Sequence, residues 1–369
     1  MAVTVVPPAP PAPPATDVAR ARAPRGPLVR SPLVRYLLVR LALIVPTVLI
    51  LVTVVFFFMR VIGDPITASQ GGRLSADQLA ERKAAAGFDR PILQQYAEYL
   101  GGLVRGDFGT ALTDRREISE VLVTNGAATL ELTMWALLVA FAIGLPLGRL
   151  AARYRDRLPD VSIRLFAVLV YAAPVFFVGL LLKLLFSATL GWLPASGRAS
   201  ASVEIALTNV TPKTNIMIVD AILYGDPGYI LNVLEHAILP ALALGLLTAG
   251  VFIRLIRINL LETMRTDYVT AARARGVSER VVVRKHAFRN AMVPVVTVMG
   301  MQIAMMLGGA ILTETTFEWQ GLGYVLSRYL LARDFVAVQG IVTAIAVVVA
   351  FSSFLIDVVN ALVDPRVRY

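Results

Sequence analysis

Few residues in this chain are arranged for covalent chemistry. Cysteine is absent and His236 and His286 are the two histidines, so thiolate metal sites, disulfides and thiol nucleophiles are excluded. H-E-x-x-H and G-x-S-x-G do not occur, which removes the zinc-protease helix and the serine elbow. G-x-x-x-x-G-K-[ST] is missing too, and Gly-Lys never occurs, so the chain does not cradle nucleotide phosphates by that route. If ATP drives what it does, the ATPase is another polypeptide. What remains are charges inside apolar stretches, which are functional candidates by default. Glu131 pairs across a helix bundle or lines a path, with the structural pair favoured. Lys183 is expected to snorkel to an interface. Asp357 is expected to partner loop arginines.

A second constellation suits mechanical rather than covalent work. Thr266 to Pro294 reads T-D-Y-V-T-A-A-R-A-R-G-V-S-E-R-V-V-V-R-K-H-A-F-R-N-A-M-V-P and lies between two long apolar runs. Thr266 or Asp267 can cap a first helix through Ala271, Ala272, Arg273, Ala274 and Arg275, and Gly276 supplies the left-handed stop. Ser278 can cap a second helix, with Glu279 in its first turn and Arg284, Lys285 and His286 toward its end, the order the helix dipole favours. Ala271, Ala272 and Gly276 form a low ridge that another backbone can approach closely. The plainer reading, a basic connector that only satisfies topology, does not account for the coincidence of turns, ridge and spacing.

The elements that must hold these residues follow from composition. The 369 residues are 57% hydrophobic with mean hydropathy +0.71, which points to an integral membrane protein. Six apolar spans, each near the ~20 residues a bilayer needs, are expected at about 36–60, 127–149, 164–190, 233–254, 291–313 and 335–361. Pro46, Pro146, Pro174 and Pro240 should kink them. Residues 1–34, which carry P-P-A-P-P-A-P-P at 7–14, cannot bury a core and read as a disordered tail. A signal peptide fits poorly, because the first apolar run is too long and lacks a cleavage site.

The net charge of +10 is a topology signal rather than a nucleic-acid footprint. With a cytoplasmic N-terminus, most of the 35 Lys and Arg residues fall in the tail, 149–164, 254–289 and the C-terminal end. The domain order is then a tail over 1–34, a first transmembrane helix over 35–62, an extracytoplasmic segment over 63–125, a core over 126–361 with its loop at 255–290, and a cytoplasmic end over 362–369. In the 63–125 segment, a helix capped by Ser75 and stopped by Gly87 precedes an amphipathic helix begun by Pro91. The second outer segment, about 191–232, reads as polar and irregular.

A-A-R-A-R-G, nine residues, then H-A-F-R-N resembles the EAA loop of ABC importer permeases. That family's pattern is Glu-Ala-Ala, three residues, Gly, nine residues, an apolar residue, one residue, Leu-Pro. Thr270 stands at the Glu, His286 at the apolar position and Phe288-Arg289 at Leu-Pro, a variant similar to the B-type permease of the dipeptide/oligopeptide (peptide/nickel) branch. R-V-I-G-D-P, G-L-V-R-G-D-F-G, T-L-E-L-T, G-W-L-P-A-S-G, G-G-A-I-L-T-E-T-T-F-E-W-Q-G-L-G and L-V-D-P-R-V-R-Y resemble the same family, in order. Gln320 departs from its usual Pro and is expected to alter an outer turn.

The resemblance implies an all-α polytopic fold of six transmembrane helices, the last five forming the type I ABC importer permease core, with a sizeable external segment after the first. It implies half of a translocation path for di- or oligopeptides in a bacterial cytoplasmic membrane, with both termini cytoplasmic. It also implies a second, C-type permease, two ABC ATPase subunits and an extracytoplasmic binding protein. The chain itself is expected to be non-catalytic and to bind no cofactor or metal, with ATP and Mg on the ATPase subunits. Carried over, ATPase coupling falls on Tyr268, Thr270, Ala271, Ala272, Ala274, Gly276, Ser278, His286 and Asn290. Glu131, Thr297 and Gln302 are path candidates, and the cluster Met292, Met299, Met301, Met305 and Met306 is either an adaptable peptide surface or packing against the second permease. Nickel chelates, glutathione and haem are alternative cargoes within the family. An ion-coupled secondary transporter is the competing class, but the inverted repeats and paired carboxylates it should carry are not evident.

Overall fold

A computed structural model describes residues 32–64, 66–67, 75–85, 87–208, 211, 213–363. Residues 1–31 of the expected disordered tail and the last six residues lie outside them, while 32–34 already belong to the helix Pro32–Ile62. Among the described residues there is no β-strand, only an isolated bridge between Thr110 and Glu117. Four helices are long and apolar enough to cross a bilayer: Arg35–Ile62, Ile118–Arg153, Pro227–Thr263 and Phe335–Val358. The 22-residue helix Phe288–Gly309 has the length for another span. Two of the long helices extend well past the lengths the apolar runs suggest, Ile118–Arg153 at 36 residues and Pro227–Thr263 at 37.

The expected span at 164–190 is not one kinked helix. Leu158–Ala172 and Val175–Thr189 meet at 103°. The cause is local. Pro174 disfavours helical backbone at the residue before it, and Ala173 is extended, at φ −74° and ψ 133°. Pro46, Pro146 and Pro240 stay inside continuous helices. Lys183, on the second arm, does not snorkel. Its Nζ donates to the Thr316 carbonyl at 2.8 Å and lies 5.6 Å from the centre of the Phe317 ring.

Helices Ile118–Arg153 and Pro227–Thr263 form the centre of the bundle, packed through small residues. A Cβ at Gly245 would sit 2.6 Å from the Ala136 carbonyl, and one at Gly148 would sit 2.8 Å from the Ile256 Cβ. Close backbone approach replaces a hydrophobic driving force that a bilayer does not supply. The first helix packs along the last one, and Arg40 pairs with Asp357 at 3.4 Å. Asp357 therefore finds its partner on a neighbouring helix rather than on a loop.

The segments expected outside the membrane are more structured than their sequence suggested. Ser75 and Gln78 cap each other reciprocally at the start of Ala76–Ala85, and Gly87 ends that unit at φ +72°. Ile92–Val104 folds back onto the bundle, where Tyr96 meets Thr53 and Tyr99 meets Thr343. The second outer segment is not irregular. It holds helices Ala201–Leu207 and Met217–Tyr224 around a small core of Ala199, Val203, Leu207, Ala221 and Val233. In the third, Ile311–Phe317 and Leu322–Leu331 flank buried Trp319, whose Nε1 donates to the Ala128 carbonyl. Gln320 keeps an exposed side chain, while its carbonyl accepts from Asn125 at 2.7 Å.

Candidate functional site

The loop after Pro227–Thr263 is a helical hairpin. Thr266 precedes the helix Asp267–Ala274, although its hydroxyl donates back to the Thr263 carbonyl instead of capping the new helix. Gly276 follows at φ +75°, a backbone state that costs an L side chain about 1–2 kcal/mol. Ser278 opens the second arm, again without a side-chain cap, and Glu279–Val281 passes through a π-helical turn, Val282–Ala287, into Phe288–Gly309.

The first helix has two faces. Val269 and Ala272 point inward and join Ala152, Leu260, Val282, Ala287 and Ala291 in one apolar cluster. Thr270, Ala271 and Ala274 point outward, and Tyr268 is 42% exposed. Alternation at three- and four-residue steps thus separates adjacent alanines: Ala272 is packing and Ala271 is surface.

Three contacts make the hairpin rigid. Arg273 forms a bidentate pair with Glu279, at 3.0 and 2.8 Å, and also reaches the Met264 carbonyl. That geometry holds the Glu279 carboxyl below its usual range and raises the guanidinium. Asn290 donates to the Tyr268 hydroxyl at 2.8 Å. Arg149 lies over the Phe288 ring at 3.5 Å, tying Ile118–Arg153 to the second arm. Gly276, Ser278 and His286 are exposed. Arg273 and Glu279 were missed as contributors, although their opposite charges across a glycine turn were visible.

The path candidates are not brought together. Glu131 is 1% exposed, with its carboxylate held by Arg198 and by the backbone N–H groups of Met217 and Ile218. It locks the second outer segment to the bundle. Thr297 and Gln302 are half-buried on Phe288–Gly309. Of the methionines, Met292 and Met299 pack against Phe252 and Val295, Met306 is buried, and Met301 and Met305 are exposed at 51% and 67%. A second buried carboxylate, Glu314, accepts from Thr129 and from the Tyr324 N–H. Among the described residues no cluster of His, Cys, Asp or Glu is placed to hold a metal ion.

The family model described as "Binding-protein-dependent transport system inner membrane component" matches residues 144–369, which include the hairpin. The chain belongs to this permease family. The corresponding N-terminal model matches residues 33–117. This permease is 39% identical over 331 residues to the di/tripeptide transport system permease protein DppB of Pseudomonas aeruginosa, covering 89% of this chain and 97% of that one. It is 38% identical to the dipeptide transport system permease protein DppB of Escherichia coli K12, with the same coverage. It is 34% identical to the glutathione transport system permease protein GsiC of Salmonella choleraesuis, over 88% of this chain and 96% of that one. An inward-facing structure of the MetNI methionine ABC transporter covers 66% of this chain and 97% of its own, at 18% identity and a TM-score of 0.47. The permease is an all-α, multi-pass membrane subunit of an ABC importer.

Proposed function

We propose that this permease forms half of a translocation path for di- and oligopeptides. In this reading the hairpin at 266–290 seats in a groove of a separate ATPase subunit, and the chain itself binds no nucleotide, metal or other cofactor. The observation that carries the coupling role is the two-faced helix. Its outward stripe of Thr270, Ala271 and Ala274 lets a partner backbone come close, while Val269 and Ala272 bond it to the bundle beneath. Peptide as cargo draws support from the DppB relatives.

The mechanism is alternating access. ATP closes a pair of ATPase subunits, their two docked hairpins approach each other, and the long helices rock open outward. Hydrolysis and release reset the inward-open state. A hairpin cross-braced by Arg273–Glu279 and Tyr268–Asn290 moves as one body with Pro227–Thr263 and Phe288–Gly309. Partners in this scheme are a C-type permease, two ATPase subunits and a binding protein that delivers cargo from outside. Both termini face the cytoplasm, and Thr297 and Gln302 are the path candidates left once Glu131 is paired.

The test is purification of the tagged chain from native membranes in mild detergent, followed by mass spectrometry and by ATP-dependent uptake of labelled dipeptide in proteoliposomes. A second permease and Walker-motif ATPases in stoichiometric amounts support the reading. A chain that purifies with no ATPase, or uptake that follows a proton gradient under clamped ATP, overturns it. The GsiC relative makes glutathione the second cargo to compete against dipeptide in the same assay.

A further inference from the structure

The end of the first helix, Ile92–Val104 and the start of the last helix line a half-open cavity of about 170 Å³. It is smaller than the ~300–1,000 Å³ pockets that hold drug-sized ligands, so it takes at most a dipeptide, with part of that molecule left in the open mouth. Arg60 is its cation. The guanidinium carbon lies 4.9 Å from the Phe56 ring and 4.6 Å from the Phe88 ring, so the group is clamped between two aromatic faces. Its Nε is buried without a hydrogen-bond partner. A clamped guanidinium with an unused donor is preorganised for a carboxylate.

The remaining walls are arranged by charge. Gln339 is buried beside the arginine and Tyr99 is half-buried. Asp107 stands exposed at the rim, with Glu98, which pairs with Arg90 at 2.6 Å. The cavity therefore runs from a cationic inner end to a mouth that carries two carboxylates, one of them shared with Arg90, with apolar wall between them from Phe108 and Val336. That order matches a zwitterion with an apolar middle.

We infer that this cavity is a binding site for a free dipeptide, its α-carboxylate on Arg60 and its α-ammonium at Glu98 and Asp107. Peptide as the occupant rests on the cargo reading above. The site lies where the external segment meets the ends of the first and last helices, away from Ile118–Arg153 and Pro227–Thr263, so it samples peptide before or beside the path.

Equilibrium binding of radiolabelled Ala-Phe to the full-length chain in nanodiscs, purified with the subunits that accompany it but without binding protein, tests this. Saturable binding is expected, weakened at least tenfold by Arg60→Gln and severalfold by Glu98→Gln. Ala-Phe amide and N-acetyl-Ala-Phe should compete poorly. Glu98 is exposed, so its variant keeps the test decisive even where Arg60→Gln fails to assemble. Unchanged binding in both variants overturns the inference. So does competition by inorganic phosphate as strong as by Ala-Phe, which marks a plain anion site, or displacement by phosphatidylglycerol in the disc, which marks a lipid site. Ala-Phe uptake by the wild type in proteoliposomes with binding protein separates the two readings. Uptake without this binding removes the cavity assignment alone, and absence of uptake removes the cargo reading.

Discussion

The Tyr268 hydroxyl accepts a 2.8 Å hydrogen bond from Asn290, 22 positions later, and so joins the outward-facing helix of the hairpin to the foot of Phe288–Gly309. Tyr268→Phe removes that bond while keeping the ring. Because the pair is exposed, the expected cost in stability is only about 0.5–1.5 kcal/mol. ATP hydrolysis and peptide uptake should then uncouple, with uptake falling more than ATPase activity. Measuring both in the same proteoliposomes checks this, and a proportional fall in the two would show that the bond does not stiffen the lever.

Ala271 and Ala272 are neighbours with opposite consequences. Ala271→Glu puts a charge on the outward face, so the chain should insert and fold normally yet lose its ATPase in co-purification. Ala272 is 9% exposed inside the apolar cluster, and Ala272→Glu should destabilise the hairpin by several kcal/mol. Thermal unfolding of the detergent-solubilised chain distinguishes them: an unchanged midpoint for the first, a clear drop for the second.

Gly276 has open space where a Cβ would go, so substitution there is limited by backbone rather than by packing. At φ +75°, Gly276→Ala should cost about 1–2 kcal/mol. Gly276→Asn should cost less, and Gly276→Pro, whose ring fixes φ near −65°, should abolish the turn. Uptake should fall in that order, and equal loss for Asn and Pro would count against a left-handed requirement.

Arg198→Ala leaves the Glu131 carboxylate buried without its counter-charge, a change that typically costs about 3–5 kcal/mol. Protease nicking of the outer 191–232 segment should increase. The double change Glu131→Gln with Arg198→Met removes both charges and keeps an acceptor for one of the Met217 and Ile218 N–H groups, which bond to different carboxylate oxygens. It should recover much of the loss, and no recovery would mean that the arginine acts through something other than Glu131.

The Arg273 hydrogen bonds hold the Glu279 carboxyl below its unfolded value of about 4.3. A depressed folded pKa gives stability that is present above the unfolded pKa and lost as pH falls through the folded one. Both groups are largely exposed, so solvent screening limits the effect to about 0.5 kcal/mol. Wild type should be slightly more heat-stable than Glu279→Gln at neutral pH, and the gap should close below pH ~4. A gap independent of pH would assign the effect to packing.

Much of this protein was legible before folding because its signals are local. Span-length apolar runs, glycine after Ala271–Arg275 and proline before Ile92 act over a few residues, and each appears where its chemistry predicts. The hairpin's spacing carried the family resemblance for the same reason. The π-helical turn at Val282–Ala287 and the mutual burial of Val269 and Val282 had no such signal, since both depend on how the returning arm docks.

Sequence by itself determined the class: a cysteine-free, helix-only membrane chain with a basic two-helix hairpin between apolar spans. Tertiary structure decided which of two adjacent alanines is surface, that Glu131 belongs to Arg198 67 positions away, and that Asp357 meets Arg40. It also turned the break at Ala173–Pro174 into a 103° bend instead of a mild kink. The physical reason is register. Periodicity states which residues share a face, but only the approach of one helix to another, set by contacts such as Gly245 against Ala136, states what that face meets.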